Sequence, residues 1–245
     1  MRATTASRAM ADGDGRYVLN MVEELFQLPK GRVLDSLALS VALQRRAPLS
    51  AKSRDGHFNS ISALHKSLRG SDCDAALYWL ARMLTGGEEP LYIARRLVRF
   101  AVEDVGLADP EAVHQALAAK DVYEFLGSPE GELALVQAVI YLATAPKSNA
   151  VYRAEALANA SARETGSAPP PLHILNAPTK LMKTLGYGKD YQYDHNAPDS
   201  FSGQNYFPEQ MPRQRFYLPS AQGAEREIAK RLEYWANLRE KRNSE

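Results

Sequence analysis

The chain has one cysteine, Cys73, which excludes an intramolecular disulfide and a cysteine-built zinc site and fits a reducing compartment. It has no apolar run approaching the ~18–20 residues of a membrane span. It also lacks charge of one sign: 30 Lys and Arg against 29 Asp and Glu leave a net charge of +1. No global field draws such a chain onto nucleic acid or a membrane, so any binding of that kind needs a local patch. Strict apolar–polar alternation is nearly absent, which argues against a sheet. There is no Gly-x-Ser-x-Gly elbow and no Gly-x-x-x-x-Gly-Lys-Ser/Thr phosphate loop. The five histidines, His57, His65, His114, His173 and His195, never fall into a metal-ligand spacing. The first eleven residues hold Arg2 and Arg8 and no acid, but the stretch is too short to read as a targeting segment.

What remains is helical periodicity. The 245 residues are 45% apolar and 24% charged, enough for one large domain or two small ones. Asp14 can cap a first helix carrying Val18, Leu19, Val22, Leu25 and Phe26, which Pro29 and Gly31 end. A second carries Leu34, Leu37, Ala38 and Val41 and stops before Pro48; the short polar stretch 47–57 is the candidate domain boundary. Phe58, Ile61, Leu64 and Leu68 share one face of a third, with Gly70 behind it. Asp72 caps a fourth, with Ala76, Leu80, Met83 and Leu84 before Gly86-Gly87. Pro90 starts a fifth that runs through Leu97 and Ala101 to Val105. Asp109-Pro110 and Ser128-Pro129 repeat one pattern, a capping side chain followed by proline, and predict helices over 109–125 and 129–143. Ser148 opens another to about residue 164. No pattern recurs at a fixed period, so the expectation is an all-α bundle or collar rather than a solenoid.

After Gly166 the character changes. Ala168-Pro169-Pro170-Pro171 predicts extended chain, and a short helix follows Asn176 and ends at Gly186. Residues 187–217 hold eight aromatics (Tyr187, Tyr191, Tyr193, Phe201, Tyr206, Phe207, Phe216, Tyr217) among Gly, Pro and Asn. That is too aromatic for disorder and too broken for regular structure, and reads as an arm packed over the helical body or over a neighbouring subunit. A last helix over 221–241 presents Ile228, Leu232, Trp235 and Leu238 inward.

Few residues suggest chemistry. Counted as a calcium loop from Asp12, the run "DGDGRYVLN" puts Arg16 and Tyr17 where an acid and a glycine are required, so calcium is excluded. His65 lies at the margin of an apolar stripe and reads as structural, and Cys73 sits between Asp72 and Asp74, whose charge argues against a nucleophilic role. The densest basic cluster is "YIARRLVRFAVED", residues 92–104, with Arg95, Arg96 and Arg99 on one helix. Arg99 and Glu103 are spaced to pair at i,i+4, so the cluster is either a salt-bridged face or a contact for phosphate, DNA or a partner subunit.

Six stretches together carry a resemblance: "DGDGRYVLN" (12–20), "HFNSISALHKSLRGSDCDAALYWLARML" (57–84), "EPLYIARRLVRFAVEDVGLADP" (89–110), "APKSNAVY" (145–152), "LHILNAPTKLMKTLGYGKDYQY" (172–193) and "YFP" (206–208). The chain resembles, from about Ala11 to its last helix, the C-terminal portion of the replication-associated recombination protein A family, whose eukaryotic branch includes the Werner-helicase-interacting ATPase. That resemblance implies residues 1–50 as part of an AAA+ lid and 51–245 as a helical oligomerisation domain with the irregular aromatic arm. It implies a clamp-loader-like ATPase active in replication-fork maintenance, recombination and repair, with DNA, replication and repair proteins and further copies of itself, in a homotetramer, as partners. By the same resemblance Arg16 matches the sensor arginine that reaches the terminal phosphates of ATP. An arginine at a helix start is opposed by the dipole unless an anion compensates, so the assignment is physically coherent. Tyr17 departs from the second arginine common in the family. The family uses ATP and magnesium, but the phosphate loop, the acidic magnesium strand and the arginine finger have no counterpart in these 245 residues. The expectation is therefore a fragment or shortened product with no cofactor of its own, or alternatively a stand-alone scaffold that regulates full-length copies. The implied location is the cytoplasm, with the nucleoid, or the nucleus in a eukaryote, and not a membrane.

Overall fold

The computed structural model describes residues 54–244, and among them every regular element is helical. The two helices expected over residues 14–41, with Arg16 and Tyr17, lie outside the described residues. The described chain divides into two compact units, one formed by 54–98 with 116–144 and the other by 99–115 with 145–244.

In the first unit, α1 (Arg54–Arg69) and α2 (Cys73–Thr85) form a hairpin, and α5 (Glu132–Thr144) packs on both. The spacing that predicts α1 is the spacing that fills the core: Ile61, Leu64 and Leu68 are buried, facing Ala76, Leu80 and Met83 of α2. Asp72 caps α2 as expected, its carboxylate accepting the Ala75 N–H at 3.0 Å. The first nine residues of α3 (Pro90–Phe100) and the last eleven of α4 (Glu111–Leu126) complete the unit, burying Ile93, Ala94, Leu97, Ala116 and Ala119. One start differs from expectation. Ser128 does not cap α5, which begins at Glu132; its hydroxyl lies 3.1 Å from the Tyr123 hydroxyl instead.

The second unit begins at Arg99, near the end of α3, where the helix widens into a π-helical turn (Ala101–Val105) rather than running on as an α-helix. Ending the regular ladder there leaves the Asp104 carbonyl to accept the Ser148 N–H at 2.8 Å, which positions the start of α6 (Ala150–Thr165). A one-turn helix α7 (Lys180–Thr184), capped by Thr179, precedes the aromatic arm, and α8 (Glu225–Ser244) follows it. Residues 221–224 are loop, so α8 starts later than expected. Its apolar stripe is only half covered: Leu232 and Trp235 remain 36% exposed, because irregular arm, and not another helix, lies over it. Truncating Leu80, 1% exposed, to alanine should lower the urea-unfolding free energy by roughly 2–5 kcal/mol, since the helical hairpin cannot collapse onto the cavity.

Candidate functional site

Arg95, Arg96 and Arg99 are all on α3, as expected, but two of the three already have a carboxylate. Arg95 contacts Glu89 at 3.3 Å, and Arg99 donates to Glu103 at 2.6 Å across one turn. The hydrogen bond and charge of Glu103 hold the Arg99 guanidinium still more firmly in its cationic form. Arg96 is half-buried, and its Nε is enclosed with no hydrogen-bond partner. An anion meeting this helix therefore competes with Glu89 and Glu103 for two of the three guanidinium groups.

The most enclosed polar chemistry lies elsewhere in the second unit. Glu225, the first residue of α8, is 0% exposed. Its Oε2 accepts the Ser148 hydroxyl at 2.7 Å and the Ser220 N–H at 2.6 Å, while its Oε1 accepts the Tyr217 hydroxyl at 2.8 Å. Ser148 is itself buried and accepts the Ala150 N–H at 3.2 Å, so one side chain links the α6 start to the α8 start. The loop before α8 is seated by its backbone: Ala224 donates to the Ala108 carbonyl at 2.8 Å. Gly223 has φ +48°, and a Cβ there would land on that carbonyl, so glycine is required for the approach. Burial alone would raise the Glu225 carboxyl, but the donors from Ser220, Ser148 and Tyr217 outweigh it and hold the group below the ordinary range. Burial and then the bond to Glu225 push the Tyr217 phenol up. Lys147, in the same segment, is pushed down by burial against the opposing charge of Asp104, and its ammonium donates to the Ala145 carbonyl at 2.5 Å. Sequence reasoning missed Glu225, because an acid in a first helical turn reads as a dipole complement.

The aromatic arm folds back onto its own last helix. Phe201 packs on Trp235 with ring centroids 4.9 Å apart, and the Arg239 guanidinium lies 4.9 Å from the Phe201 centroid. Arg242 donates to the Pro198 carbonyl at 2.7 Å. Asp194 ties the arm internally, accepting the Ser202 N–H and hydroxyl, each at 2.8 Å, and the Tyr206 hydroxyl at 2.9 Å. The Ser202 donors hold its carboxyl below the ordinary range. A shallow cleft of about 690 Å³ opens beside this network, lined by His173, Asn176, Tyr191, Asp194 and Tyr206 among others. Among the described residues no group of three His, Cys, Asp or Glu is arranged to hold a metal, and no helix is long and apolar enough to cross a membrane.

The Glu225 cluster sets a pH dependence. A carboxyl held low in the folded state contributes stability that is fully present above its unfolded value, about 4.3, and is lost as pH falls through the folded value. Glu225→Gln should cost roughly 1–3 kcal/mol at neutral pH and flatten the acid limb of a stability–pH profile followed by urea unfolding. An acid limb identical to wild type would count against the cluster's role.

Comparison with known proteins places these elements. Residues 70–236 match the family model described as MgsA AAA+ ATPase C terminal, and residues 2–69 match the AAA C-terminal domain model. The two matches meet at Gly70, between α1 and α2. Replication-associated recombination protein A of Coxiella burnetii is 49% identical over 235 residues, covering 94% of this chain and 53% of that protein. The protein of the same name from Escherichia coli K12 is 45% identical over 234 residues, 93% of this chain and 52% of that protein. The ATPase WRNIP1 of Dictyostelium discoideum is 40% identical over 229 residues, 85% of this chain and 26% of that protein. The chain thus spans about half the length of the bacterial relatives it matches. With the larger family match covering most of its residues, the chain belongs to the MgsA AAA+ ATPase C-terminal family and corresponds to the C-terminal portion of replication-associated recombination protein A.

Proposed function

We propose that this chain is the lid and assembly portion of a DNA-dependent AAA+ ATPase that acts in replication-fork maintenance, recombination and repair. The observation that carries the reading is the end-to-end order of two matches, both to C-terminal parts of AAA proteins, over residues 2–69 and 70–236. Residues 1–50 supply the lid segment and 51–245 the oligomerisation domain, whose product is a homotetramer. The packing of α1 on α2 and α5 supports drawing that division ahead of α1. Arg16 is the residue that faces the nucleotide, and ATP with magnesium is held by elements with no counterpart in these 245 residues. DNA contact by this portion falls to Arg95, Arg96 and Arg99, and the protein works with replication and repair partners at the chromosome.

Two measurements check this. The purified chain should not hydrolyse ATP with or without DNA; turnover that copurifies with it and survives Arg16→Ala would refute the reading. Its DNA affinity should be weak and steeply salt-dependent, and charge reversal at Arg95, Arg96 and Arg99 should abolish it in a fluorescence-anisotropy titration. Tight binding indifferent to moderate salt would show a different interface.

A further inference from the structure

In the first unit, α5 (Glu132–Thr144) carries one charged residue, Glu132, at its very start. Its inner face, Leu135, Ala138, Val139, Leu142 and Ala143, is buried. The outer face would ordinarily hold lysines and glutamates, yet it shows Leu133 at 72% exposure and Ile140 at 42%, with Gln137 and Thr144 between and beyond them. The Thr144 hydroxyl is turned back onto the Ile140 and Tyr141 carbonyls at 2.9 and 3.1 Å, so it offers water little. A helix apolar all round belongs inside something.

The end of α4 also exposes apolar side chains. Phe125 is 89% exposed and Leu126 48%. Gly131 holds the two helix ends together: a Cβ there would stand 2.8 Å from the Tyr123 Cα, so the start of α5 presses on the last turn of α4. Phe125, Leu126, Leu133 and Ile140 expose on the order of 400–500 Å² of apolar surface, near the upper end of what monomers leave in water. That is more than half of the ~800 Å² that one partner gives a standard interface.

The charges around it choose the occupant. Lys120 is neutralised locally by Asp121 and Glu124 at 3.1 and 2.8 Å, and Glu130 and Glu132 flank the junction. A nucleic acid needs cations here, and a membrane-surface helix needs a basic rim; neither is present on α5. A two-fold interface brings a patch against itself, so a charge near its axis would meet its own copy, and α5 from Leu133 to Thr144 carries none. We infer that the outer face of α5, with Phe125 and Leu126 beside it, is the surface through which two copies of this chain associate. This rests on the reading of the chain as an assembly domain, and it assigns that role to α5 instead of the aromatic arm.

The experiment is sedimentation of the full chain at micromolar concentration. Leu133→Lys/Ile140→Lys and Leu133→Glu/Ile140→Glu should each at least halve the particle mass, and mixing the two should restore it in low salt by opposite charge. Tyr191→Ser/Tyr193→Ser, on the arm, should leave the mass unchanged. Restoration on mixing separates a lost interface from a lost fold. Unchanged mass in the charged variants, or a loss that mixing does not reverse, overturns the inference and leaves the face to a different protein. A wild-type chain of monomer mass overturns the assembly reading itself.

Discussion

A carboxylate held out of water organises the second unit. Glu225 receives the Ser148 and Tyr217 hydroxyls and the Ser220 N–H, so one side chain ties the α6 start, the end of the arm and the α8 start together. A buried charge is tolerated only when its lone pairs are filled, and three donors within 2.8 Å meet that requirement. Losing any donor leaves the carboxylate under-solvated, which makes the three segments interdependent. The need is real because the long segment before α8 has little apolar core of its own: from Leu172 to Ala224 the one buried residue is Gly203. Hydrogen bonds and ring contacts do there what aliphatic packing does in the first unit.

The arm shows the same economy. Its rings are shared out as pairs, Phe201 with Trp235 and Phe207 with Phe216, and guanidinium groups cover two of them. Each ring or cation contact adds about 0.5–1.5 kcal/mol. Half-exposed aromatics stabilised in this way leave Tyr191, Tyr193 and Tyr206 at 41–54% exposure, so the arm is anchored to α8 without being sealed.

The first unit is the opposite case, a dense helical core whose surplus hydrophobicity reaches the surface. α5 has more apolar positions than α1 and α2 can cover, and the excess emerges on its outer face and at the α4 end. On α3 the charges run the other way, with Arg95 and Arg99 matched to Glu89 and Glu103. Apolar surface without charge and basic surface with its own counterions suit different partners, and they lie on separate helices.

Most of the helical architecture was legible in the sequence, because caps and periodicity act locally. Asp72, Pro90 and Gly86-Gly87 mark helix limits through contacts with residues at most four positions away. The Arg99–Glu103 pair was legible for the same reason. The identity of the family was also legible, carried by long ordered runs rather than by a short motif. Tertiary structure decided what depends on distant chain. Ser148 and Glu225 are 77 residues apart, and nothing in either neighbourhood announces that one will donate to the other. The arm's choice of α8 as its support, the π-helical end of α3 that frees the Asp104 carbonyl, and the Ser128 hydroxyl taken from a cap to Tyr123 all belong to this class. Local sequence sets which conformations are cheap; which of them survives is settled by partners that only the folded chain brings within hydrogen-bonding distance.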